Sequence, residues 1–347
     1  MDILKPNIRF NINAASRVLP NSQPITNLEI LQNFPRTSTH PQAFLEKFAE
    51  KISEEFGFNI RYWCHKPWES LDASKELTAE SLAIMAVQQL LEQHDKKPQA
   101  FLLGSTTNKR FTGSQAAAVL GQSNIDAPAY DLKTGCSTSL STLHMAYALM
   151  ALGYTNVLAC CSETLSKVID PENEKTWIGL ADGAAALFLE KSSTGSFTVE
   201  KTFFSTDGKH VDAFTTHGVF PPTHEQIDTV GYHLIGDEAQ MKELAYTKYK
   251  HMLANLLPSE AERNEITWII PHQVNRKLTD QVLQEHQLSN KEIIWDSDRI
   301  GNIGGASVFY SLARAIEEKL FDKPGKILMI SVGGGLSYAG QILQFHP

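Results

Sequence analysis

A chain of 347 residues, 42% hydrophobic and 20% charged, has room for about two domains or one large duplicated unit, and its composition argues against intrinsic disorder. Lys plus Arg number 31 and Asp plus Glu 39, a formal charge of −8, which speaks against a general nucleic-acid binder but leaves room for a local basic patch. The four cysteines include no C-x-x-C pair, which removes support for a disulfide scaffold, a zinc ribbon or a thioredoxin-like motif. The start MDILKPNIRF has no apolar signal-peptide core, and no run approaches the ~18 apolar residues of a membrane span. A cytoplasmic protein without a membrane span is therefore expected.

In chain order, short apolar runs alternate with longer helical stretches. Strands are predicted at 99–105, 129–132, 156–163, 185–191, 266–271, 292–297 and 326–332, and helices at 79–94, 139–152, 236–257 and 307–321. Continuous Val, Ile and Leu runs between helices predict buried, mostly parallel strands and an α/β class. The segment 192–235, rich in Gly, Thr, Pro, Asp and His, reads as a linker or as a lid over a site. A weak internal repeat is present. Residues 130–163 run Tyr-Asp, Gly-Cys with small residues, a helix, Gly153 and VLACC. Residues 295–335 run Trp-Asp, Gly-Asn with small residues, a helix, Gly325 and ILMISV. Duplication predicts two polar loops facing each other across a pseudo-two-fold axis, each at the start of a central helix. Chance is the alternative, because strand–loop–helix–strand units are common.

Three residues have the chemistry of a site. Cys136, in KTGCSTSL, precedes a helix that is apolar nearly all round and therefore buried. Free N–H groups and about half a positive charge at such a helix start lower a thiol pKa and favour a thiolate nucleophile. The alternative is a small core residue. His272, in WIIPHQVN, follows a strand end, where α/β folds bind ligands; a locally bonded loop histidine is the alternative. Asn302, in RIGNIGGAS, has glycines around it that permit close substrate approach or simply a turn. SVGGGLSYAG is not a dinucleotide fingerprint and fits better as a loop lending N–H groups to an oxyanion. Cys160 and Cys161 read as core, Cys64 as structural and His144 as a core histidine. His210, His217, His224 and His233 show no regular metal-ligand spacing, so no metal is expected.

Together, ASRVLPNSQPITN, LLGSTT, DLKTGCS, DPENEKTWIGLADGAAALFLE, WIIPHQVN, GNIGGAS and GGGLSYAG resemble the β-ketoacyl synthase III family of the thiolase superfamily, in order and over most of the chain. Neighbouring families fit less well. Elongating ketosynthases pair the cysteine with two histidines, and thiolases carry a second, late cysteine. Chalcone-synthase-like enzymes end in a different glycine loop. The resemblance implies a duplicated five-layered αβαβα sandwich, with residues 1–195 as one half carrying Cys136 and 196–347 as the other carrying His272 and Asn302.

It also implies a reaction. Cys136 takes an acyl group from a thioester, and the N–H groups of Cys136 and Gly334 form the oxyanion hole. A malonyl- or β-ketoacyl-type thioester then loses carbon dioxide, with His272 and Asn302 holding the enolate, and condenses with the acyl group. Coenzyme A or acyl-carrier thioesters are substrates, and no cofactor is required. Fatty acid or polyketide synthesis is the setting. A homodimer is implied, with Phe111 reaching into the partner's acyl pocket, and the apolar strand NVLACCSE is expected near the interface because it would otherwise expose a large patch. Asn275, Arg276 and Lys277 are substrate- or carrier-binding candidates; Gln284 and Glu285 stand where relatives often carry basic residues. The surround after the cysteine, Ser137-Thr138-Ser139, is more polar than is usual, and the segment that helps hold coenzyme A survives only as FGFNIRYW. Two alternatives keep the fold: acyl transfer to an oxygen or nitrogen acceptor, and a subunit of a ketosynthase heterodimer.

Overall fold

A computed structural model describes residues 3–70, 77–218, 220–228 and 230–347. Its framework is ten strands: β1 (Arg9–Val18), β2 (Ala100–Gly104), β3 (Ala129–Leu132), β4 (Asn156–Thr164), β5 (Asp182–Lys191), β6 (Phe197–Thr206), β7 (Ile266–Pro271), β8 (Glu292–Ile293), β9 (Gly325–Gly333) and β10 (Ser337–Phe345). Six helices pack on them: α1 (Ala79–Leu91), α2 (Gln115–Ser123), α3 (Thr138–Ala151), α4 (Glu238–Leu256), α5 (Arg276–Glu285) and α6 (Ser307–Glu317). The strand order is β8-β7-β9-β10-β6-β1-β5-β4-β2-β3.

This order is one pattern used twice. In the first half β2 pairs in parallel with β3 and β4, and β5 runs antiparallel to β4 and β1. In the second, β7 pairs in parallel with β8 and β9, and β10 runs antiparallel to β9 and β6. A short antiparallel contact, Arg9 and Phe10 against Thr198 and Phe197, joins the two. The sheet is thus mixed, not mostly parallel as the apolar runs suggested. Those runs report burial on both faces, which a covered antiparallel strand shares.

The layers explain the runs. On β4, Val157, Ala159 and Cys161 point into a cluster with Leu140, Leu143, Tyr147, Phe309 and Leu312 of α3 and α6. Leu158 and Cys160 point the other way, onto Leu82, Ala86 and Leu90 of α1. On the far side, Met252, Leu253 and Leu256 of α4 cover Ile269, Leu328 and Ile342. Helices α3 and α6 each touch strands of both halves, so they form the middle layer of an αβαβα sandwich. A helix buried between two sheets has no polar face, which is why α3 reads apolar nearly all round. The outer helices carry conventional caps. Thr78 and Ser81 form a capping box on α1, and Asp237 caps α4.

Several expectations change. Strand 292–297 is only Glu292–Ile293, because Gln273 Oε1 takes the N–H groups of Asp296 and Ser297 at 2.6 and 2.8 Å and a short helix, Ser297–Ile300, starts there. Segment 192–235 is not wholly linker or lid, since it contains β6, one of the central strands. The remainder forms short elements, including a two-stranded pair at Phe214–Thr215 and Ile235–Gly236; positions 219 and 229 lie outside the described residues. Strand β4 lies between β5 and β2 with both faces covered by its own chain, so its apolarity is no argument for a dimer interface. The edge strand of that half is β3, where Tyr130 is exposed.

Candidate active site

Three loops meet where α3 begins. The first runs from β3 to α3 and carries Cys136. Gly135 takes φ +59°, a conformation that favours glycine, and a Cβ there would lie 2.2 Å from the Gly334 carbonyl oxygen. The second loop joins β9 to β10. A Cβ on Gly333 would lie 2.4 Å from the Cys136 nitrogen, so the two backbones touch. Ser331 Oγ donates to the Cys136 carbonyl at 2.9 Å, Ser137 Oγ donates to the Ser337 carbonyl at 2.9 Å, and Ser337 Oγ donates to the Thr134 carbonyl. Of the polar Ser137-Thr138-Ser139 surround, the two serines are fasteners between halves, while Thr138 Oγ1 donates to the Gly135 carbonyl of its own loop at 2.6 Å. The Gly334 and Cys136 N–H groups lie at the Cys136 sulfur, where they favour its charged form.

The third loop, 301–306, leads into α6. Asn302 is zipped to the start of β5: its N–H donates to the Gly179 carbonyl and its carbonyl accepts from Ala181 N–H, both at 2.9 Å. Its Oδ1 accepts from Gly304 N–H at 2.9 Å, which fixes the amide and leaves Nδ2 uncommitted. Ser139 Oγ donates to the Gly305 carbonyl and accepts from Phe309 N–H at 3.2 Å, clamping this loop to α3. The two polar loops of the repeat do face each other.

His272 follows Pro271 at the end of β7, its N–H bonded to the Ile330 carbonyl at 2.7 Å. The ring is buried, and neither nitrogen has a hydrogen-bond partner. Burial without a counter-charge pushes its pKa down to about 3, so the imidazole is neutral and free to donate or accept. Gln273, which sequence reasoning passed over, holds this corner. Its Nε2 donates to Ser311 Oγ at 2.8 Å while Oε1 gathers the 296–297 backbone. The PHQ triplet was the available signal.

Cys136 departs from expectation. It is half-buried, and its pKa is pushed up to about 11, first by desolvation and then by the charge of Glu163. Burial and the Glu163 charge outweigh the Gly334 and Cys136 N–H groups, which favour the thiolate. Cys160 and Cys161 are buried core residues, as expected.

The remaining candidates lie further out. Asn275 caps α5, accepting from Leu278 N–H at 2.9 Å. Arg276 lies over the Trp295 ring, 5.2 Å from its centroid, and pairs with Asp280. Lys277 is exposed and forms no ion pair among the described residues. Glu285 is engaged by Lys250 at 3.3 Å and by Tyr246. Phe111 is 72% exposed and stacks on Phe220, with centroids 3.9 Å apart. Among the described residues no cluster of His, Cys, Asp or Glu could hold a metal, and no helix is long and apolar enough to cross a membrane.

This geometry defines a class before any comparison: a thiolase-type sandwich with a cysteine and an asparagine on loops that meet, and a neutral histidine at the end of β7, the strand beside β9. Family models described as 3-oxoacyl-[acyl-carrier-protein] synthase III and its C-terminal region match residues 130–208 and 258–345. A β-ketoacyl-[acyl-carrier-protein] synthase III of Clostridium beijerinckii is 29% identical over 243 residues, covering 66% of this chain and 73% of the relative. The 3-oxoacyl-(acyl carrier protein) synthase III of Pseudomonas aeruginosa PAO1 superposes with a TM-score of 0.82 at 18% identity, covering 98% of this chain and 99% of that one. The priming β-ketosynthase of the R1128 polyketide biosynthetic pathway gives 0.80 at 20% identity, covering 99% and 98%. Over both matched regions the chain is similar to ketosynthase III proteins, an acyltransferase class of enzyme.

Proposed function

We propose that the protein catalyses a decarboxylative Claisen condensation in fatty acid or polyketide synthesis through an acyl group carried on Cys136. The Cys136 sulfur attacks the carbonyl of an acyl thioester, the tetrahedral oxyanion is held by the N–H groups of Cys136 and Gly334, and the donor thiol departs with the cysteine proton. A malonyl-type thioester then loses carbon dioxide. The electron pair left behind resides on the enolate oxygen, where His272 and the Asn302 Nδ2 donate. The carbanion attacks acyl-Cys136, a C–C bond forms, the C–S bond breaks and the thiolate takes up a proton. Acyl-coenzyme A and malonyl-type thioesters are the substrates, an acyl carrier protein is the candidate extender carrier, and no cofactor takes part.

The observation that carries this reading is the pair of uncommitted, buried donors. His272 has two unpartnered nitrogens and Asn302 a fixed amide with a free Nδ2. An enolate oxygen is the charge such a pair is built to meet, whereas acyl transfer to oxygen or nitrogen forms no enolate. His272→Ala and Asn302→Ala are expected to keep loading Cys136 with an acyl group but to lose carbon dioxide release from malonyl thioester, each by about 10²–10³-fold. Normal condensation by Asn302→Ala would overturn the reading.

A further inference from the structure

Behind the nucleophile loop lies a buried acid that the reaction above leaves unused. Glu163, near the end of β4, has no solvent exposure. Its carboxylate accepts from Thr106 N–H at 3.0 Å and Thr106 Oγ1 at 2.9 Å, and from Thr107 N–H at 3.1 Å and Thr107 Oγ1 at 2.8 Å. No Lys, Arg or His pairs with it among the described residues, an uncommon state for a fully buried carboxylate.

Its position is specific. A Cβ on Gly305 would sit 2.7 Å from Glu163 Oε1, 2.9 Å from Thr138 Cβ and 3.0 Å from the Gly135 carbonyl oxygen. One glycine therefore separates the carboxylate from the loop that presents Cys136. The groups facing it are few. Loop 105–107 contributes only hydroxyls and amides, and loop 304–306 has no ionisable side chain. On β5, Asp182 is turned to Ser166 and to Cys64 N–H. The thiols of Cys136 and of Cys161 on β4 itself are the ionisable groups that feel its charge.

We propose that Glu163 is a positioning residue for acyl loading: its carboxyl gains and loses a proton behind the nucleophile loop and so sets how readily Cys136 ionises. With Glu163 neutral, the thiol gives up its proton against burial alone. With Glu163 charged, the like charge opposes the thiolate. Burial raises Glu163 to about 7, and the threonine donors pull against that rise, so both charge states are within reach near neutrality. The inference rests on Cys136 being the nucleophile proposed above.

The test is the pH dependence of iodoacetamide alkylation at Cys136, read by peptide mass, which requires neither acyl donor nor condensation. In the wild type the logarithm of the rate should climb with unit slope, flatten around the Glu163 midpoint, then resume, displaced by about one pH unit or tenfold. Glu163→Gln should give a straight line and about tenfold faster alkylation on the alkaline side. Thr107→Val keeps the carboxylate but removes a donor, so it should move the bend to higher pH without abolishing it; this covers the case in which Glu163→Gln fails to fold. A straight wild-type profile, or a bend that survives in Glu163→Gln, would overturn the proposal. A bend in an enzyme whose Cys136 never takes an acyl group would instead defeat the condensation reading and the loading role with it, leaving Glu163 as the group that sets Cys136 ionisation.

Discussion

His272 owes its character to where β7 stops. Pro271 ends the strand, and the next residue turns its ring into an interior with no acid to meet it. Because burial holds the imidazole neutral down to about pH 3, carbon dioxide release should show no histidine-type acid limb near the ordinary value of 6.5. A rate that halves at that point would contradict the assigned protonation state. The same shift has a stability consequence. The folded value lies below the unfolded one, so as pH falls through 6.5 the unfolded chain takes up the proton first and the folded state loses ground. Melting curves should show the wild type losing more stability than His272→Asn between about pH 7 and about pH 4. Parallel losses would mean that the ring is not neutral in the fold.

At the scale of elements, the site depends on two glycine loops that meet backbone to backbone. Gly333→Ala would drive a methyl group to 2.4 Å from the Cys136 nitrogen, with nothing flexible to yield. It should cost about 1–3 kcal/mol or more and stop acyl loading. Gly121, inside α2 with nothing near its absent Cβ, is the contrast. Gly121→Ala should leave loading unchanged and raise stability by up to about 1 kcal/mol, measured by thermal or urea unfolding. Equal tolerance at both positions would show that the loops are not locked together.

The elements the sequence revealed and those it hid differ for physical reasons. Strands β3 and β7 were read at their true bounds, and α3 and α4 to within two residues at each end; β7 and α3 are buried nearly throughout, whereas β3 and α4 stood out by their residue types between marked ends. β6 was missed because Glu200 and Lys201 interrupt its apolar run; each pairs outward, with Lys326 and Glu262. β1 was missed because a bulge between Ile12 and Ala14 breaks its alternation. β10 was hidden behind its own turn, GGG, which drew attention as a loop. At the site, the three chemical residues were legible from their motifs. Gln273 and Glu163 were not, since their roles depend on partners 20 or more residues away: Asp296, Ser297 and Ser311 for one, Thr106 and Thr107 for the other.

For the molecule as a whole, two exposed features stand out among the described residues. Phe111 and Phe220 stack on each other in the open, and β3 leaves an edge beside Tyr130. A second copy of the chain covering these residues is the arrangement we propose, and light scattering should give a dimer at micromolar concentration. Phe111→Ala should shift the preferred acyl chain length. A stable monomer, or an unchanged preference, would remove Phe111 from the acyl pocket. Carrier docking depends on local charge, because the chain is net −8. Arg276 is already held by Trp295 and Asp280, and Lys250 offsets Glu285, so Lys277 is the exposed cation on α5 with charge to offer. Lys277→Glu should raise the apparent KM for a carrier-bound extender by about 3–10-fold, in a salt-dependent way, while sparing loading by a small thioester. Equal damage to both reactions would assign Lys277 to coenzyme A or to the fold.

The central claim is that Cys136 carries the acyl group, and intact-mass spectrometry after incubation with a panel of acyl-coenzyme A donors tests it most directly. The wild type should gain the mass of one acyl group, and Cys136→Ala should gain none with any donor. An adduct of the same mass on Cys136→Ala would place the nucleophile elsewhere and contradict the account.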